Sequence, residues 1–309
     1  MTMREYSSRL SCLCNLPSIA ALAIALVATP AFAGTYSVAP NIAAGIVDTI
    51  PNPAAAPPGA NLQSCSLKQH PYPVVLVNGT FSVMEDDFGA LAPDLANAGY
   101  CVYTFNYGGS PTSLIQATGS AISSASELAS YVQQVLGETR ATKVDLIGHS
   151  QGGMLAEYYV KLLGGAPYVH NLVGLSPTTH GTTLDGLALL ASAFPGANLL
   201  VGAACPACKD QESGSAVIQQ LDNGPIAQPG VGYTIIESKD EFVVTPVGSS
   251  FINEPGVTNE YVQSSCPLDP VDHADLSYDN VTIQLVKNAL SPSTAQAPNC
   301  AIAFPWPAQ

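Results

Sequence analysis

The chain has 309 residues, of which 47% are hydrophobic and only 10% charged, and its 23 acidic residues against 9 basic ones give a net charge of −14. Nucleic acids and anionic membrane surfaces reward basic patches, so this balance argues against both as partners. The apolar content excludes a disordered chain, and the length excludes a small scaffold held together only by disulfides.

From the N-terminus, residues 1–33 read as a secretory signal peptide. Arg4 and Arg9 make a positive start, Ile19 to Val27 an apolar run, and Ala31-Phe32-Ala33 a small-residue cleavage site. The run is short for a membrane span and Pro30 follows it, so no stable span is expected and the protein should be secreted. Cleavage would leave 276 residues beginning at Gly34, with 22 acids and 7 bases. Six cysteines remain, an even number that suggests three disulfides in an exported chain. Joining sequence neighbours gives Cys65–Cys101, Cys205–Cys208 and Cys266–Cys300. The Cys205-Pro206-Ala207-Cys208 spacing lacks the βαβ context of a redox motif, and no second pair of ligands stands at zinc spacing.

Residues 34–63 are rich in Pro and Ala, and Pro51, Pro53, Pro57 and Pro58 predict an extended arm. Residues 64–309 then read as one domain in which short apolar strands alternate with amphipathic helices. Strands are predicted at 73–77, 101–105, 144–147, 172–175 and 233–237. Helices are predicted over 91–98, 151–163 and about 278–290, with one more carrying an apolar stripe of Ile122, Ala125, Leu128, Val132 and Val135. The alternation predicts an α/β fold, a mostly parallel sheet with helices on both faces. An insertion at 181–230 separates the fourth and fifth strands, and its residues 186–208 carry no charge. It is expected to cover a pocket or meet lipid, with a buried helix pair as the plainer reading.

Gly148-His149-Ser150-Gln151-Gly152 lies between a predicted strand and a predicted helix, the context that makes a G-x-S-x-G match a nucleophile elbow. Ser150 is the candidate nucleophile, and a serine needs a base. Of five histidines only His273 follows Ser150 late enough to leave a strand and an acid between them. Asp240, in the loop after the fifth strand, is the candidate acid, with Glu241 next; Asp272 adjoins His273 too closely to orient its ring. Acyl transfer also needs two backbone donors for the oxyanion. Gln151 after the nucleophile and Thr80 after the first strand are the candidates. This chemistry calls for no metal or other cofactor. Glu85-Asp86-Asp87 reads as an acidic helix start rather than a calcium site.

These stretches, with Pro73 to Phe81, Ser176 to Thr182 and Asp240 to Pro246, resemble the secreted class 2 lipases of actinobacteria, within the α/β-hydrolase superfamily. The resemblance runs from about Pro71 to Leu290. It implies an α/β-hydrolase fold, a lid-like insertion, and a triacylglycerol lipase or esterase. Ser150, Asp240 and His273 would be its triad, with Thr80 and Gln151 framing the oxyanion hole. The expected partner is an acylglycerol or other ester at a lipid interface, and the expected enzyme is a monomer. A short-chain esterase, a cutinase-like polyesterase and an acyltransferase would use the same triad; a non-enzymatic lipid-binding or adhesion protein would not need it. One departure stands out. The family's oxyanion loop commonly reads His-Gly, and here it reads Asn78-Gly79.

Overall fold

The run Val74-Val75-Leu76-Val77 has no polar position, which is the pattern of a strand covered on both faces. The computed structural model, which describes residues 36–194, 196, 197 and 205–302, forms it into strand β1 (Val74–Val77), with every residue buried. Five more strands join it: β2 (Val102–Thr104), β3 (Val144–His149), β4 (Val169–Leu175), β5 (Gly232–Glu237) and β6 (Val257–Tyr261). All pair in parallel, in the order β2-β1-β3-β4-β5-β6. The chain therefore starts inside the sheet, steps to one edge, and returns across β1 to build the rest. The reversal lies between β1 and β3, where connections leave in opposite directions and open a crevice at the strands' carboxyl ends.

The helices follow the strands in turn. Helix α1 (Ile42–Thr49) precedes the sheet, and α2 (Met84–Phe88) with α3 (Leu91–Asn97) joins β1 to β2. Helix α4 (Ala121–Thr139) leads into β3 and α5 (Gln151–Leu162) leaves it. Helices α6 (Leu184–Ala193), α7 (Pro206–Asp210) and α8 (Ala216–Asp222) occupy the insertion, and α9 (Val262–Ser265) and α10 (Asn280–Leu290) follow β6. Strand alternation sorts the core into two layers. Val75 and Val77 join Leu128 and Val132 of α4 and Met154 and Leu155 of α5. Val74 and Leu76 join Leu91 and Leu95 of α3 and Val281 and Val286 of α10. Helices on both faces of a parallel sheet are the architecture expected from the alternation.

Three local expectations are corrected. The arm is not wholly extended: α1 forms ahead of the prolines, capped by the Asn41 side chain, which accepts the Ala44 N–H at 2.9 Å. On α4, Ile122 is exposed and Ala121 takes its place on the buried stripe. Strand β6, with the sequence Val-Thr-Asn-Glu-Tyr, is a half-buried edge strand without the apolar run that marks the other strands. All three expected cysteine pairs are bonded: Cys65–Cys101, Cys205–Cys208 and Cys266–Cys300. The signal segment expected at 1–33 lies outside the described residues, as does part of the insertion, 198–204. No helix among the described residues is long and apolar enough to cross a membrane.

Candidate active site

β3 ends at His149 and α5 opens at Gln151, so Ser150 alone makes the turn between them, at φ 53° and ψ −123°. That backbone lies in a region L-residues avoid. Its neighbours hold it there: Ser150 N–H donates to the Leu175 carbonyl at 2.9 Å, and its own carbonyl accepts the Gly153 N–H at 3.1 Å. The flanking glycines are required by space. A Cβ on Gly148 would sit 2.4 Å from the Gly152 carbonyl, and one on Gly152 would sit 1.9 Å from the Val77 oxygen. Ser150 is thus fixed at the end of β3, beside the crevice, with the N-terminus of α5 behind it.

His273 arrives from the other side, in the loop between α9 and α10, and is fully buried. Its Nδ1 lies 2.8 Å from Oε2 of Glu241. The other oxygen of Glu241 accepts the backbone N–H groups of Val243 at 2.6 Å and Val244 at 2.9 Å. Burial pushes this carboxyl up, but the His273 ring and the hydrogen bonds it accepts outweigh burial and hold it at about 2. Asp240, which the sequence reading put first, is exposed and does not meet His273. The reason is local: Lys239 and Asp240 form the tip of a turn, and Glu241 is the first residue heading back toward the sheet. Asp272 stays within its own loop, accepting the Ala274 N–H at 3.0 Å. Ser150 Oγ and His273 Nε2 are both buried, and neither finds a hydrogen-bond partner among the described residues.

Thr80 and Gln151 are brought together across the crevice. The Thr80 hydroxyl donates to the Gln151 Oε1 at 2.8 Å. A third residue, Gln211, closes the triangle from the end of α7: its Nε2 lies 2.8 Å from Thr80 Oγ1 and 2.9 Å from Gln151 Oε1. Its Oε1 accepts from the Thr178 hydroxyl at 3.1 Å. Gln151 opens a helix, so its backbone N–H is one of the first-turn donors that no helical carbonyl can satisfy. Asn78, the departure from the family pattern, is buried and folds its own loop, donating to the Ser82 carbonyl at 2.9 Å.

Beneath these residues lie two more that the sequence reading did not assign to the site. His149 Nδ1 is 2.7 Å from Asp87 Oδ1, and His149 Nε2 is 2.9 Å from the His273 carbonyl. The second Asp87 oxygen accepts the Gly79 N–H at 2.6 Å. Asp87 belongs to the acidic run read as a helix start; it does lie in α2, but buried and facing His149. Gln211 and Asp87 meet the site only through the fold, and no spacing in the sequence marks them. His149 could have been flagged by its place in the elbow. The remaining histidines are engaged elsewhere: His70 stacks on Tyr100 with centroids 3.5 Å apart, His170 meets Asp145 at 2.9 Å, and His180 meets Asp222 at 2.5 Å.

A separate apolar cluster gathers Phe81 from the loop after β1, Leu187, Leu190 and Phe194 from the insertion, and Val243 and Val244 from the Glu241 loop. Ile42 and Ile46 of α1 pack against it. Leu187 and Leu190 of α6 and Phe194, all from the charge-free part of the insertion, therefore pack onto the loops that carry Thr80 and Glu241.

Known proteins are similar to this chain at several levels. Aspergillus fumigatus lipase B superposes with a TM-score of 0.60 at 19% identity, over 93% of this chain and 65% of that one. The propeptide form of the Bacillus licheniformis lipase BlEst2 gives 0.52 at 17% identity, over 79% of this chain and 53% of that one. At such identities these likenesses speak for the fold, that of the α/β-hydrolases. A triacylglycerol lipase of Pseudarthrobacter phenanthrenivorans is 39% identical over 92 residues, 28% of this chain and 27% of its own length. One from Burkholderia plantarii is also 39% identical over 92 residues, 28% of this chain and 24% of its own. The matched stretch thus spans about a quarter of each curated relative. The family model described as Lipase (class 2) matches residues 71–286, from the strand before Thr80 to the helix after His273. With that match across most of its length, the chain belongs to the class 2 lipases.

Proposed function

We propose that this class 2 lipase is a secreted serine carboxylester hydrolase acting on acylglycerols, with Ser150 as nucleophile, His273 as base and Glu241 as the acid. One observation carries the reading: a buried glutamate holds Nδ1 of His273, while His273 Nε2 and the Oγ of the elbow Ser150 are both buried and without a hydrogen-bond partner among the described residues. Ser150 Oγ attacks the ester carbonyl carbon while His273 Nε2 takes its proton. The carbonyl oxygen becomes an oxyanion facing the backbone N–H groups of Thr80 and Gln151. Collapse breaks the bond to the alcohol, which leaves with the proton from His273. Water, deprotonated by His273, then attacks the acyl-enzyme and releases the acid and free Ser150. Held at about 2, Glu241 stays anionic throughout and stabilises the imidazolium that forms in both halves.

Two further features support the finer parts of the reading. The apolar cluster around Phe81, Leu187 and Phe194 suits a hydrocarbon acyl chain better than a polar substrate. Three disulfides suit an oxidising compartment, in keeping with the signal-like start of the chain.

The deciding experiment pairs a fluorophosphonate probe with a substrate series. The wild type should be labelled and Ser150→Ala should not; an unlabelled wild type would overturn the enzyme reading. Hydrolysis of tributyrin and of a long-chain triglyceride should both proceed. Activity confined to tributyrin would make the protein a short-chain esterase. Faster release from a solid polyester, or transfer to an added alcohol in preference to water, would redirect the substrate assignment to a polyesterase or an acyltransferase.

A further inference from the structure

Buried charge is costly unless it is paired and its hydrogen bonds are met, so a carboxylate and an imidazole sealed beneath a site invite a reason. Asp87 and His149 are both almost wholly buried. The imidazole is bracketed by two oxygens, the Asp87 carboxylate at Nδ1 and the His273 backbone carbonyl at Nε2. A carbonyl oxygen cannot donate, and neither can an ionised carboxylate. Against an ionised Asp87, a neutral imidazole with one N–H and one lone pair would leave that lone pair pointing at an oxygen; only the imidazolium then satisfies both partners. The remaining Asp87 oxygen holds the Gly79 N–H, one residue before Thr80. A continuous path therefore runs from the oxyanion loop through Asp87 and His149 to the backbone of the proposed base.

We infer that His149 is an imidazolium at neutral pH and that the Asp87–His149 pair is a positioning device, clamping the Gly79–Thr80 loop and the His273 backbone at one fixed separation. The inference rests on the reading of His273 and Thr80 given above. Both loops are irregular, one following strand β1 and the other following helix α9, so neither fixes the other through local hydrogen bonding. The clamp does so with three charge-assisted hydrogen bonds of 2.6 to 2.9 Å. The titratable groups that act on the ring are Asp87 on α2, Glu241 after β5, and His273 itself, whose ring centroid is 4.9 Å from that of His149. Tyr107 and Tyr278, both buried near Asp87, are held neutral by burial and by the neighbouring aspartates. Burial works against charge on His149, but the Asp87 carboxylate, its hydrogen bond and the His273 carbonyl outweigh burial and raise its pKa. When His149 does lose its proton at alkaline pH, one end of the clamp opens.

Two measurements test this, one of them independent of activity. In protein labelled with 15N-histidine, the His149 signals, assigned by their loss in His149→Gln, should show both ring nitrogens protonated at pH 7. A single protonated nitrogen would overturn the inference, and the wild type alone decides this point. Asp87→Asn should then lower kcat on p-nitrophenyl butyrate by about 10- to 100-fold per fluorophosphonate-titrated site, since a displacement of about 1 Å can cost that much. KM should stay within about twofold, and the alkaline fall of kcat should move to lower pH. If Asp87→Asn does not fold, His149→Gln, whose single amide nitrogen replaces two donor atoms on opposite sides of a ring, serves instead. Unchanged kcat per titrated site in the folded variant would reduce the pair to a structural contact and overturn the inference. Full activity in Ser150→Ala would sink the proposed function, yet it would leave the protonation result standing.

Discussion

His273 Nδ1 lies 2.8 Å from Oε2 of Glu241, while Asp240, one residue earlier, is exposed at the tip of a turn. Adjacent carboxylates of nearly equal chemistry are thus separated by direction alone. Glu241 is further fixed by the two backbone N–H groups of Val243 and Val244, so its carboxylate is aimed at the ring before any substrate arrives.

The two acids make an unambiguous pair of variants. Glu241→Gln keeps the shape but replaces the acceptor with an amide that favours the wrong ring tautomer, and kcat should fall by about 10⁴-fold. Asp240→Asn should leave kcat within about twofold. Steady-state rates on a soluble ester, normalised to active sites, check both. Loss of activity in Asp240→Asn with an active Glu241→Gln would restore the sequence-based assignment.

That contrast shows where the sequence was legible and where it was not. Ser150 could be read because its chemistry is written locally: two glycines whose absent side chains make room at 2.4 and 1.9 Å, with a strand before and a helix after. Strand β1 could be read because burial on both faces leaves it no polar residue, as Val74–Val77 shows. Strand β6 escaped because an edge strand half in solvent keeps polar residues. Choosing between Asp240 and Glu241 required knowing where the turn tips over, a matter of one residue that composition does not encode. Gln211 and Asp87 reach the site across 60 or more residues of sequence, so only the packing of the insertion and of α2 reveals them.

Gln211 offers a second test. Its amide ties Thr80 Oγ1 to Gln151 Oε1, the two residues proposed to supply oxyanion donors. Removing a direct donor costs about 10² to 10³ in kcat, so loosening the support should cost less, about 10-fold. Gln211→Ala should show that loss in kcat with little change in KM. A rise in KM at constant kcat would instead make Gln211 a substrate contact.

Stability should respond to pH from both sides. The folded-state value of about 2 for Glu241 lies below its ordinary 4.5. Its stabilisation is therefore complete above about 4.5 and lost as pH falls toward 2. Glu157, sealed behind the elbow on α5, is the opposite case. Burial pushes it up to about 8 against the Thr179 hydroxyl that donates to it. The folded chain then holds a proton that the unfolded chain releases, so stability declines as pH rises from about 4.5 to 8. Glu237, pushed by burial to about 7, adds to that decline. The Tm should peak near pH 5 and fall on either side. Glu157→Gln should flatten the alkaline side in a pH series of thermal melts and leave the acid side as it was. An unchanged alkaline slope would mean that Glu157 ionises freely in the folded protein.

The last prediction concerns Gly45, where α1 crosses α2. A Cβ there would lie 2.1 Å from the Tyr278 hydroxyl oxygen and 3.2 Å from the Asp86 Cα. Two effects compete in Gly45→Ala. Alanine favours the helix by about 1 kcal/mol. Against that, Tyr278 cannot step aside cheaply, since it is buried and its hydroxyl donates to the Asp86 carbonyl at 2.6 Å. Overpacking of this kind costs about 1–3 kcal/mol, and a contact at 2.1 Å puts Gly45→Ala toward the upper end, so the variant should be destabilised on balance. Urea unfolding should show a lower midpoint with an unchanged slope. Tyr278→Phe removes the obstructing oxygen, so the double variant should be more stable than the sum of the two single losses. Strict additivity would mean that α1 shifts as a body to admit the methyl group, and that its seat on α2 is not fixed by this contact.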